Sequence, residues 1–235
     1  MRNFLQQRLQ KNRVHPLVHS WDFYHDRQDR TTSKNLSNAS IRHQDADGQE
    51  TESYEARLEH LAVIHDVRQF WNVWNNFQIA DLALRDSVHL FHKGVKPVWE
   101  DPRNTEGGSW TFRVSKDKGQ AFWTELGMLA IGEQLQAAVD DDTRTTFRDD
   151  ICGISVGVRF NSFLVQIWNR DGEHAKGIEG LFHAVVENLK EELKPREGTY
   201  YYKKHSEHAG FAVAPTTGQQ LSQPAYAAQD EEALP

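Results

Sequence analysis

The sequence predicts an α+β domain: an antiparallel sheet of about seven or eight strands with three helices packed on one face. Three observations lead there. Apolar residues alternate with a period of two in several short stretches and switch to the helical period of 3.6 in three others. The order is strand-strand-helix, repeated, then a strand, and paired strands favour antiparallel neighbours. Seven Trp and twelve Phe sit in 235 residues. With a mean hydropathy of only -0.73, that describes a compact aromatic core diluted by polar segments.

Leu17, Trp21 and Phe23 predict the first strand, and Leu58, Leu61 and Val63 the second. Asp66-Val-Arg-Gln69 has the spacing of a capping box and opens a helix to about Asn76. Residues 87–93 and 109–115 are the next two strands, the latter with Trp110, Phe112 and Val114 alternating. A second helix covers about Gln120 to Val139. Ile154, Val156, Val158 and Phe160 alternate, as do Phe163, Val165 and Ile167, which predicts a hairpin. The third helix puts Ile178, Leu181, Val185 and Leu189 on one face and stops before Pro195; GTYYYKK is a final strand. The folded domain is expected at 15–211. Segments 1–14, 26–53 and 212–235 are expected to be unstructured, being too poor in apolar residues to offset the entropy of ordering.

Composition excludes several functions. Lys and Arg total 27 against 34 Asp and Glu, a net charge of -7, so the chain lacks the cationic surplus that coats phosphate backbones indiscriminately. The single cysteine, Cys152, rules out an internal disulfide framework and fits a reducing compartment. No run reaches the ~18 apolar residues of a membrane helix, and the first residues lack a signal-peptide apolar core. Among twelve histidines there is no HExxH and no cysteine pair, so no metal or other cofactor is expected. Neither a phosphate-cradling glycine loop nor a nucleophile elbow is present, and the expectation is a non-enzyme.

Two aromatic features stand out. On the first helix, at about 100° per residue, Phe70, Val73, Trp74 and Phe77 form a core stripe. Trp71 lies outside it, either at the rim of the core or as an anchor for a partner. The second helix also carries two stripes: Phe122, Leu126 and Leu129, and opposite them Thr124, Met128, Ile131 and Leu135. In the turn-rich segment 91–110, Trp99 is followed directly by Glu100. An aromatic face beside a carboxylate has the parts to hold a cationic, donor-rich ring.

The blocks HPLVHSW (15–21), DVRQFW (66–71), FHKGVKPVWEDPRNTEGGSW (91–110), FWTELGMLAIGE (122–133) and ICGISVGVRF through Ile167-Trp168 resemble the translation initiation factor 4E family, which binds the 7-methylguanosine cap of mRNA. The resemblance implies a curved sheet with three helices on its convex back. It implies that Trp99 is one plane of a sandwich around the methylated guanine, whose positive charge adds cation–π attraction to stacking. Counting back seventeen residues from Trp71, where conventional members carry the second tryptophan, gives Tyr54; this resembles the divergent 4E-homologous proteins. Glu100 matches the carboxylate on guanine N1–H and N2–H, Trp168 the residue near the N7-methyl group, and Arg159 the phosphate-binding arginine.

The phosphate end departs from the conventional pattern: Asn161 and Leu164 replace lysines, and Ser109 replaces a basic residue. Each lost charged contact is worth about 1.5–3 kcal/mol, so weaker cap binding is expected. Lys203, Lys204 and His205 near the last strand are either compensating cations or a solvated basic end, and the second reading is preferred. On the back, His15, Pro16, Val67, Trp71, Glu125, Met128, Ile131 and Gly132 match positions where the family docks a helical peptide of the Tyr-x4-Leu-hydrophobic type, from an initiation scaffold, a 4E-binding protein or a repressor complex. Thr124 replaces a family leucine there. The resulting expectation is a cytoplasmic factor, with a nuclear pool allowed, acting in translation initiation or its regulation. The alternative is an interaction module or repressor of the same fold with an idle cap pocket, acting through Trp71.

Overall fold

A computed structural model describes residues 14–28, 42–44, 50–52, 57–140, 149–208 and 211. The predicted tails and Tyr54 lie outside the described residues, apart from Val14, which is exposed. Within 26–53, Asp26 closes the first strand, and 42–44 pair with 50–52.

The strands are β1 (Pro16–Asp26), β2 (Arg42–Gln44), β3 (Glu50–Glu52), β4 (Leu58–Asp66), β5 (Ser87–His92), β6 (Gly108–Ser115), β7 (Ile151–Val158), β8 (Ser162–Asn169) and β9 (Tyr200–Lys204). Seven of them form one curved open sheet in the order β4-β1-β5-β7-β8-β6-β9. Every neighbouring pair is antiparallel. β7 and β8, consecutive in the chain, are neighbours, and β1 pairs with β4, the next strand of the same sheet; β5 and β6 are separated by the β7–β8 hairpin.

Among the described residues the α-helices are α1 (Val67–Asn76), α2 (Gly119–Ile131), α3 (Gln134–Val139) and α4 (Ala175–Asn188). The predicted second helix is therefore two. Gly132 donates its N–H to Met128 O and ends α2, and Glu133 takes the left-handed conformation with φ 60°, which an α-helix does not continue through. At α1, Asp66 caps as predicted, accepting from the Gln69 N–H at 2.8 Å. The Gln69 side chain returns to the N–H of His65 (2.7 Å), one residue earlier than in a regular capping box.

Period-two alternation assigns each face of the sheet. Phe23, Leu90, Phe112, Ile154, Val156, Phe163, Val165 and Ile167 are all but inaccessible and enter the main core with the helices. Phe160, predicted in that series, instead lies between β7 and β8 and is 82% exposed. Trp74 joins α1 to α2: it stacks on Phe70 at 4.5 Å and on Trp123 at 5.0 Å. Its indole N–H reaches Thr124 Oγ1. Gly127 permits that approach, since a Cβ there would come 2.5 Å from the Trp74 ring. Burying large side chains of this kind stabilises by about 1.5–3 kcal/mol each. These four helices all place residues in this one core, so the other face of the sheet carries its own chemistry.

Candidate functional site

On the open face the strand register lines residues up in rows. The first row runs Asp22, Phe91, Gly153, Trp168, Ser109, Lys203; the second runs Tyr24, His89, Ser155, Gln166, Thr111, Tyr201. Gln166 confirms a shared face, since its Nε2 donates to Thr111 Oγ1 at 3.1 Å and to Ser109 Oγ at 3.5 Å. A second apolar cluster, separate from the main core, joins Phe91, Val95, Cys152 and Trp168, with Tyr24 and Trp99 packed against it.

Trp99 and Glu100 are half-buried and lie in the loop between β5 and β6. That loop is fixed by its own polar residues. The fully buried Asn104 donates to Lys96 O (2.8 Å) and Val98 O (2.7 Å). Asp101 accepts from the N–H groups of Lys96 and Arg103, both at 2.9 Å. Arg103 donates to the carbonyls of Asp149 (3.0 Å) and Ile151 (3.1 Å) and pairs with the Asp149 carboxylate at 2.9 Å. The Trp-Glu pair is thus presented on a staked loop rather than a loose one, as ligand positioning requires.

Trp168 is buried, meets Phe91 edge to face at 5.3 Å and lies 4.4 Å from the His205 ring. His205 is fully buried, and burial, followed by the neighbouring His208, pushes its pKa down to about 3. This corrects the solvated basic end for His205, which lies buried within the site; Lys204 pairs with the exposed Glu173 at the edge. His208 stacks on Trp99, centroids 4.4 Å apart and planes 14° from parallel. Burial pushes the Cys152 thiol up to about 12, so it is no thiolate nucleophile or ready metal ligand.

The third row brings two guanidinium groups together. Arg113 is the register partner of Leu164, and Gly157 lies on the other side of Leu164. The exposed Arg159 side chain folds back over Gly157, its Nη1 3.1 Å from where a Cβ would stand. Two guanidinium-bearing residues therefore flank Leu164, on the face that carries Trp168. Arg113 escaped the sequence reading. Its place opposite the Trp110-Phe112-Val114 alternation was visible, but its pairing with Leu164 is a matter of register. Asn161 is exposed in the β7–β8 turn.

On the helix side, His15 O accepts the Val67 N–H at 3.0 Å, and Pro16 pairs with Asp66, which brings these residues to the start of α1. Trp71 is half-buried one turn further on, edge to face on Phe70. Met128 is 41% exposed, and Gly132 is exposed. Ile131 is buried in the main core instead of standing in an outer stripe, as is Leu135. The Glu125 carboxylate is engaged by Lys190, through its ammonium at 3.0 Å and its backbone N–H at 3.1 Å.

One group of metal-type donors converges among the described residues: His19, His92 and Asp149. Arg103 already fills it, its Nη2 lying 3.0 Å from His92 Nδ1 and 2.9 Å from the Asp149 carboxylate. A second cation there would be repelled by the guanidinium.

Comparison with known proteins gives a single direction. The family described as Eukaryotic initiation factor 4E matches residues 16–219. The eukaryotic translation initiation factor NCBP of Oryza sativa subsp. japonica is 30% identical over 159 residues, covering 67% of this chain and 64% of that protein. Eukaryotic translation initiation factor 4E-4 of Caenorhabditis elegans is 28% identical over 158 residues, 66% of this chain and 68% of that one. The chain spans just under two thirds of the length of the NCBP relatives it matches in rice, wheat and Arabidopsis thaliana. Among solved structures, Ascaris suum eIF4E-3 in complex with m7G cap superposes with a TM-score of 0.64 at 27% identity, covering 87% of this chain and 97% of that one. C. elegans eIF4E-3 with the 4E-binding protein Mextli and a cap analog shares the fold, with a TM-score of 0.64 at 24% identity over 83% and 94% of the two chains. With its sheet order, its helix-backed core and its tryptophan blocks all accounted for, the chain belongs to the eukaryotic initiation factor 4E family.

Proposed function

We propose that this protein binds the 7-methylguanosine 5′ cap of mRNA and acts in translation initiation or its regulation, as a cytoplasmic binding protein rather than an enzyme. The observation that carries the reading is the open face itself: Trp99 and Glu100 on a staked loop, Trp168 in the same cluster, and Arg113 with Arg159 in the row below. Trp99 supplies a stacking plane and Tyr54 the opposing one. Base–aromatic stacking is worth about 1–3 kcal/mol per plane. Glu100 accepts from guanine N1–H and N2–H, a charged bond of about 1.5–3 kcal/mol. Trp168 closes the methyl side, and the two arginines take the phosphates.

Retention on immobilised 7-methylguanosine triphosphate, competed far better by methylated than by unmethylated nucleotide, tests the reading. Trp99→Ala and Glu100→Ala should each weaken binding more than tenfold. Equal competition by GTP would remove it. One observation favours a second reading, an interaction module or repressor acting through the Trp71 surface: the Trp99 face is already covered by His208. Its occupant on the back would be a helical peptide of the Tyr-x4-Leu-hydrophobic type.

A further inference from the structure

The 3-10 turn at His205–Glu207 follows β9 and crosses the open face. It is pinned at its start, where the His205 N–H donates to Gly107 O at 3.0 Å, and it continues with the His208 N–H on His205 O at 3.1 Å. It inserts two imidazoles into the site. Ring contacts run in series from Trp99 to His208 (4.4 Å), from His208 to His205 (6.3 Å) and from His205 to Trp168 (4.4 Å). His208 therefore lies between Trp99 and the ring that touches Trp168. A base stacked on Trp99 with its methyl edge toward Trp168 needs that same space.

The closed arrangement leaves bonds unmade. Trp168 Nε1 and both ring nitrogens of His205 are buried with no hydrogen-bond partner among the described residues. A buried polar group without a partner is held at a cost in free energy, relieved when water or a ligand reaches it. His208 itself is half-buried, so it can leave at the edge without unpacking the core.

We propose that His208, stacked on Trp99 in the free protein, is a built-in competitor for the cap base, which binds by displacing the imidazole. The proposal rests on the cap-binding reading above. The contest is between like contacts: an imidazole on an indole against a cationic purine on the same indole. A methylated guanine brings a larger ring, a formal charge and bonds to Glu100, whereas an unmethylated one lacks the charge. The competitor thereby raises the threshold that any occupant of the slot must pass, lowering the apparent affinity of methylated and unmethylated nucleotide by the same factor, while the preference between them stays with the charge on the base.

The test uses the full chain. In the free protein the His208 ring protons should show an upfield ring-current shift in NMR spectra that is lost in Trp99→Ala; its absence would overturn the stack. Titration with 7-methylguanosine triphosphate and with GTP should give His208→Ala about twofold to tenfold tighter binding of the methylated nucleotide than wild type, the range expected for removing one aromatic pair. Unchanged or weaker binding by His208→Ala, with methyl preference intact, would overturn the competitor and leave the cap reading standing. Failure of both proteins to prefer the methylated nucleotide would overturn the cap reading, and the competitor with it.

Discussion

Replacing Arg113 by leucine removes one cation from the open face and little else. The side chain is exposed, and the backbone N–H of Arg113 keeps its 2.7 Å bond to Thr199 O whatever the side chain. Its neighbour across the register is Leu164, with Gly157, under the Arg159 side chain, one strand further. At about 4.8 Å per strand, the Cα atoms of Arg113 and Gly157 are roughly 10 Å apart. An anion over Leu164 is within reach of both guanidinium groups. Along β8, Leu164 is four residues from Trp168, about 13 Å, comparable to the span from base to outer phosphates in an extended nucleotide. One charged hydrogen bond at about 1.5–3 kcal/mol corresponds to tenfold or a hundredfold in affinity. Titration by tryptophan fluorescence should show Arg113→Leu losing that factor for 7-methylguanosine triphosphate while its affinity for the 7-methylguanosine nucleoside stays at the wild-type value. An equal loss for both ligands would mean the slot itself was disturbed. No loss for either would take the phosphates off this row.

Two further outcomes follow from the same geometry. Trp71→Ala should abolish capture of a Tyr-x4-Leu-hydrophobic peptide while leaving retention on immobilised cap analogue unchanged, since Trp71 touches Phe70 on the helix side; loss of both would indicate misfolding instead. Stability should fall on mild acidification. Burial pushes His89, His92 and His205 down to about 3, against about 6.5 in an unfolded chain. Between those values the unfolded state binds more protons, so each histidine withdraws up to about 1.4 kcal/mol per pH unit as pH drops below 6.5. Asp26 and Glu133, raised by burial, act in the opposite sense. The urea midpoint should therefore be lower at pH 5.5 than at pH 7; an equal or higher midpoint would contradict the buried neutral histidines.

Much of the fold was legible because local periodicity is a local property. The alternation of Trp110, Phe112 and Val114 and of Phe163, Val165 and Ile167 fixes which side of each strand enters the core, and Asp66 with Gln69 marks the start of α1. The break at Gly132–Glu133 was missed because the apolar periodicity runs on through Leu135 and Val139, both of them core residues, while the backbone turns beneath it. Phe160 was placed inward by extending an alternation past the point where the β7–β8 turn begins.

By itself, the sequence determined the α+β class, the family and the chemical kinds at the site: an indole beside a carboxylate, a second indole and an arginine. These are carried by residue type and short spacing. Only the tertiary structure decided which residues face one another across strands. Arg113 gains its place from register with Leu164, fifty-one positions away along the chain. His208 meets Trp99, and His205 meets Trp168, because the chain returns over the open face after β9. Contacts between residues remote in sequence depend on how strands pair and where loops close, and neither periodicity nor composition encodes that. The acidic chain with many tryptophans thus resolves into a core of indoles behind the sheet and a small cationic and aromatic site in front of it.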